Sequence, residues 1–96
     1  MKTHYTEAEA LPRLVFLEGW SFKDNAIEKR FEFRDFIDAF SFMTRVAMEA
    51  HRIDHHPEWT NVWNKVHLRL RTHDAGGLTD KDFQLAEIIE KRILCK

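Results

Sequence analysis

The sequence predicts an α+β domain in which a four-stranded antiparallel sheet carries three helices on one face, in the order α-β-β-α-β-β-α. Three observations lead there. Stretches around Ile27–Phe33 and Val66–Leu70 alternate apolar and polar residues with a period of two. Residues 35–52 repeat apolar side chains at steps of three and four. Threonine-led capping patterns, Thr6–Glu9 and Thr79–Asp82, mark helix starts near either end. The 96 residues make a single domain, 1–96, with no room for a second.

Thr6-Glu-Ala-Glu9 opens the first helix, because the hydroxyl and the carboxylate three residues on satisfy orphan amides. Pro12 limits it, and an end by Arg13 is expected. Leu14–Leu17 and Trp20–Phe22 read as strand, with a bend at Gly19 and a turn at Lys23-Asp24-Asn25. Ile27, Phe31 and Phe33 then alternate with Glu28, Arg30 and Glu32, completing a hairpin. In the long helix Phe36, Phe40, Met43, Ala47 and Ala50 set the main apolar face, flanked by Ala39, Phe42 and Val46. Ile37, Ser41, Thr44 and Met48 form a weaker second stripe, readable as scattered exposure or as a helix-to-helix subunit contact. The helix is expected to run out near Asp54, because Pro57 steers His56 away from helical geometry. Asn61–Trp63, a turn at Asn64-Lys65 and Val66–Thr72 give the second hairpin. Gly76-Gly77 breaks it, and the last helix carries Phe83, Leu85, Ala86, Ile89 and Ile93 on one side.

Fifteen basic and sixteen acidic residues leave a net charge of -1, so nucleic acid is disfavoured as a direct ligand. The single cysteine, Cys95, can form no internal bridge, which suits a reducing compartment. Neither a signal-peptide core nor a membrane-length apolar run is visible, and a soluble cytoplasmic protein is expected.

Chemistry gathers between His51 and Asp82, in His51-Arg-Ile-Asp54-His55-His56-Pro57-Glu58-Trp59 and Thr72-His73-Asp74. Imidazole exchanges protons near neutrality, and a positioned acid or base contributes roughly 100- to 10,000-fold in rate. Two or three imidazoles at one pocket can take a proton from one atom and supply it at another, which is all that dehydration, isomerisation or tautomerisation requires. Other readings stand beside this one. His51 and His55, with His56 or His73, could hold zinc, although no cysteine or HExxH pattern accompanies them. The histidines could equally be capping or surface groups. Asp82 is either a helix cap or an orienting partner for His73, and Trp59 is either hairpin core or a platform for a flat heterocycle.

His51-x-x-x-His55-His56-Pro57, followed by Trp63, His73 and Asp82, resembles the signature of the pterin-4a-carbinolamine dehydratases. Gly19-Trp20, Phe40-x-Phe42-Met43-x-Arg45-Val46-Ala47 and Asp54-His55-His56-Pro57-Glu58-Trp59-x-Asn61-Val62 extend the likeness. The resemblance implies a hydro-lyase that dehydrates 4a-hydroxytetrahydropterin to quinonoid dihydropterin in tetrahydrobiopterin recycling, with no metal or organic cofactor. His55, His56 and His73 are implied as acid and base, His56 and His73 closest to the chemistry. Substrate contacts are implied at Asp54, His51, Trp59, Arg71, Thr72 and Asp74. His51 stands where animal members often carry glutamate, so one carboxylate of their site is replaced. The resemblance also implies homodimers through sheet extension and homotetramers through the long helices. It implies, too, an alternative role as a binding module, a dimerization cofactor of a hepatocyte homeodomain factor, which would add the nucleus as a location.

Overall fold

The structure, a computed structural model, describes residues 4–94, so Cys95 and the first three residues lie outside the described residues. Helix α1, Glu7–Leu14, starts at Thr6, whose backbone N–H donates to Glu9 Oε1 at 2.9 Å while Glu9 N–H donates to Thr6 Oγ1 at 3.3 Å. The strand expected over Leu14–Leu17 is not formed. Leu14 closes α1 and a turn follows, in which Leu14 and Leu17 are buried while Val15 and Phe16 stand 76% and 84% exposed. Burial at a step of three is helical; a strand would have buried alternate residues.

Strands β1, Ser21–Lys23, and β2, Ala26–Glu32, are joined by Asp24 and Asn25. Both take positive φ, 52° and 61°, as a type I′ hairpin turn requires. Helix α2, Phe36–Arg52, begins at Asp35, whose carboxylate accepts the Asp38 N–H at 2.9 Å. Its buried face consists of Ala39, Phe42, Val46 and Ala50. Ala39, Phe42 and Val46, expected only to flank the face, are with Ala50 its centre, and Phe36, Phe40 and Ala47 are rotated toward solvent.

Strands β3, Glu58–Val62, and β4, Lys65–Leu70, turn at Trp63-Asn64, one residue earlier than expected. The Asn61 side chain donates to Trp63 O at 3.1 Å and Lys65 O at 2.9 Å, which holds Trp63 in its left-handed conformation. Helix α3, Asp80–Ile88, continues into a π-helical stretch, Ile89–Ile93.

The antiparallel sheet has the order β1-β2-β4-β3. Ile27, Phe31, Val66, Leu68 and Leu70 turn to the core shared with α2 and α3, whose Phe83, Leu85, Ala86 and Ile89 are buried. Lys29, paired with Leu68 across β2 and β4, points to the same side. Its ammonium donates to Glu90 Oε2 at 2.7 Å, and Trp20 Nε1–H reaches the same oxygen at 3.0 Å. Gly19 lets this lysine pass: its φ is 88°, and a Cβ there would meet Lys29 Cε at 2.8 Å. The opposite face is polar, and there His67 Nε2 pairs with Glu28 Oε1 at 2.7 Å. No helix among the described residues is long and apolar enough to cross a membrane.

Candidate active site

Residues 54–57, 71–74 and 79–81 line one cleft of about 670 Å³, within the range of small-molecule sites. The first segment is the end of α2. Asp54 takes a left-handed φ of 56°, its N–H donating to His51 O at 3.1 Å and the His55 N–H to Ala50 O at 2.9 Å. These are the two bonds of a Schellman motif with aspartate in the position usual for glycine. The sharp reversal sends His55 inward and leaves His56 exposed.

His55 is buried, and its Nε2 lies 2.5 Å from Asp82 Oδ1. Asp82 is fully buried. Its Oδ2 accepts the Thr72 hydroxyl at 2.9 Å and the Thr79 N–H at 2.9 Å, and the two threonine hydroxyls are 2.6 Å apart. A carboxylate this deep is tolerated because donors surround it. Asp82 therefore both caps α3 and orients a histidine, and that histidine is His55 rather than His73. With the Nε2 proton directed at the carboxylate, the neutral ring keeps Nδ1 as its acceptor.

His56 stacks on His51, with ring centroids 5.7 Å apart and planes 7° from parallel. His51 Nδ1 and His56 Nε2 are 3.5 Å apart. His51 thus backs His56 and is not itself on the cleft wall. His73 opens a short 3-10 turn, His73–Ala75, closed by Gly76 at a φ of 74° and by Thr72 N–H donating to Gly77 O at 2.8 Å. Its Nε2 lies 3.2 Å from Glu58 Oε2. Asp54, Arg71, Thr72 and Asp74 line the cleft, whereas Trp59 sits opposite Leu68 and packs against the core.

Thr79, Asp80 and Lys81 form a wall that the sequence marked only as a helix start. At the rim Tyr5 donates its hydroxyl proton to Asp80, and Arg13 NH1 donates to Asp80 Oδ1 and to Tyr5 Oη, each at 2.8 Å. The hydrogen bond from Tyr5, and then that from Arg13, hold the Asp80 carboxyl below its ordinary 3.8. The same bond to Asp80 raises the Tyr5 hydroxyl. Tyr5 and Arg13 carried no sequence signal of a site, since each is joined to it only through the fold, and Glu58 stood in the motif around His55-His56 with no role assigned to it. Among the described residues no three His, Cys, Asp or Glu side chains are grouped to hold a metal ion. His51, His55 and His73 are directed at different partners.

The arrangement offers two accessible imidazoles, one pinned imidazole, and hydroxyl, carboxylate and guanidinium groups around a cleft wide enough for a bicyclic heterocycle.

Residues 3–92 match the family model described as pterin 4 alpha carbinolamine dehydratase. A protein of Rhizorhabdus wittichii named "Putative pterin-4-alpha-carbinolamine dehydratase" is 52% identical over 87 residues, covering 88% of this chain and 90% of its own. A Rhizobium johnstonii protein of the same name is 47% identical over 94 residues, covering 95% and 93%. The crystal structure of a transcriptional coactivator/pterin dehydratase from Brucella melitensis superposes with a TM-score of 0.88 at 39% identity, covering 94% of this chain and 98% of that one. With a fold, a nearly full-length match and relatives of its own length in agreement, the chain belongs to the pterin 4 alpha carbinolamine dehydratase family.

Proposed function

We propose that the protein is a hydro-lyase that removes water from 4a-hydroxytetrahydropterin and releases quinonoid dihydropterin, as a step of tetrahydrobiopterin recycling. The observation that carries this reading is the convergence of His55, His56 and His73, from two separate chain segments, on one cleft. In the reaction the C4a–O bond breaks as the departing hydroxyl gains a proton and leaves as water. The adjacent ring nitrogen loses its proton, and its electron pair closes the C=N bond. One proton is supplied and one removed, with no net oxidation.

His56 and His73 perform these two transfers, being the accessible imidazoles of the cleft. His55, fixed by Asp82, orients the substrate or shares the acid role, and His51 steadies His56 from behind. Asp54, Arg71, Thr72 and Asp74 face the polar edge of the heterocycle. Trp59 does not line the cleft, its half-buried ring packing against the core instead. His56→Ala and His73→Ala should each lower turnover by about 100-fold or more, with far-ultraviolet circular dichroism unchanged. Near-normal rates in a hydroxylase-coupled assay for both variants would overturn the roles.

A second reading concerns α2, where Ile37 and Met48 stand 72% and 70% exposed on one stripe with Ser41 and Thr44. This supports a contact surface, between copies of the chain in a dimer or tetramer or toward a dimeric transcription factor, in line with the likeness to the Brucella transcriptional coactivator/pterin dehydratase. Action would then lie in the cytoplasm, and in the nucleus where such a factor is bound.

A further inference from the structure

The geometry points to Glu58 as a positioning residue for His73, an inference that rests on the proposed dehydration. Glu58 pairs across β3 and β4 with Arg69 and shares its face of the sheet. Arg69 NH1 donates to Glu58 Oε1 at 3.3 Å, while Arg69 NH2 donates to the carbonyls of Asp24 at 2.9 Å and Lys23 at 3.4 Å. Those carbonyls belong to the β1–β2 turn region, whose left-handed residues leave it little freedom. One carboxylate oxygen is thereby tied to the scaffold. The other, Oε2, lies 3.2 Å from His73 Nε2 and 4.0 Å from Arg71 Nε. Arg71 Nε is buried and has no hydrogen-bond partner among the described residues, so the carboxylate is flanked by guanidinium groups and only His73 approaches Oε2 closely.

The side chains of His73 and Glu58 are 63% and 40% exposed, and a pair so open to water contributes little to stability. Its effect is directional. An exposed imidazole otherwise samples several rotamers and both tautomers. A fixed carboxylate beside Nε2 selects the ring orientation and the Nε2–H tautomer, leaving Nδ1 as the nitrogen that accepts or delivers a proton in the cleft. His55 is hydrogen-bonded from the interior by Asp82, while His73 stands within ion-pair distance of Glu58 on the sheet, so a carboxylate on each of two elements adjoins an imidazole.

The test compares wild type, Glu58→Ala and Glu58→Gln by nitrogen NMR of the histidine rings without ligand and by steady-state dehydration. Wild-type His73 should carry its neutral-state proton on Nε2. Glu58→Ala should show mixed tautomers at His73 with His55 unchanged, and kcat lower by about tenfold, a part of what a positioned acid or base contributes, with KM within about twofold. Glu58→Gln, whose amide oxygen can still accept, should fall between. An active wild type with the His73 spectrum and kcat unchanged in Glu58→Ala would overturn this inference alone. A wild type that does not dehydrate the pterin would overturn the proposed function, and the catalytic role of Glu58 with it.

Discussion

Asp82 holds three groups with one buried carboxylate: the His55 ring, the Thr72 hydroxyl and the Thr79 amide. In Asp82→Asn one of these donors must face the new amide's N–H groups. A buried donor left unsatisfied costs about 1–3 kcal/mol, and His55 loses the acceptor that sets its tautomer. Urea unfolding should register that loss, and turnover should drop by about tenfold or more. A variant as stable and active as wild type would show the network to be incidental. The carboxylate was visible in the sequence as a cap, three residues after Thr79, but its partner was not. His55 is 27 residues away, and no local pattern distinguishes it from His73 as the ring that Asp82 meets. His51 and Trp59 mark the same boundary. Spacing placed them near the site, but the stacking of one on His56 and the inward turn of the other depend on side-chain direction.

Local chemistry made most elements legible, because caps and turns act within a few residues. Asp35, Thr6 and the Asp24-Asn25 turn all act where their types suggest. Leu14–Leu17 misled because four consecutive apolar residues look alike in strand and in a helix end. The main face of α2 was misjudged because the small Ala39 lets the helix approach the sheet while the larger Phe36 and Phe40 swing outward. Lys29 and Glu90 form the contact between β2 and the C-terminal helical stretch that no pattern announces, their side chains 13% and 12% exposed. Glu90→Ala removes the carboxylate that faces the Lys29 ammonium, leaving it the Glu18 carbonyl at 3.0 Å, and takes the acceptor from the Trp20 N–H; breaking such a pair costs about 3–5 kcal/mol. Chemical denaturation should show a loss of that order, and one below about 1 kcal/mol, the value of an exposed pair, would mean water reaches the lysine. Replacing both partners, as in Lys29→Met with Glu90→Leu, should be milder than Glu90→Ala.

At the scale of the molecule, one sheet face is covered by helices and the outer side of α2 bears apolar side chains in water. If that stripe joins copies of the chain, Met48→Asp should lower the mass seen in sedimentation velocity and leave dehydration per chain within about twofold, since Met48 lies on a surface stripe away from the cleft residues. An unchanged mass would remove the stripe as the contact. A transcription-factor complex that survives this substitution would likewise exclude the surface. The overall architecture was readable because its periods are intrinsic to strand and helix. Association was not, because exposure alone does not name the surface that covers it.

The central strands β2 and β4 come from hairpins that α2 separates, with Ile27 opposite Leu70. Neither hairpin keeps a sheet by itself, so closing that long loop commits the entire chain at once. The cleft spans the end of α2, the end of β4 and the start of α3, and it exists only when that closure is complete. A ligand seated there acts on global folding: at a hundred times its Kd it adds about 2.7 kcal/mol to the native state. Candidate pterins can therefore be ranked by the melting temperature they confer, without a turnover assay.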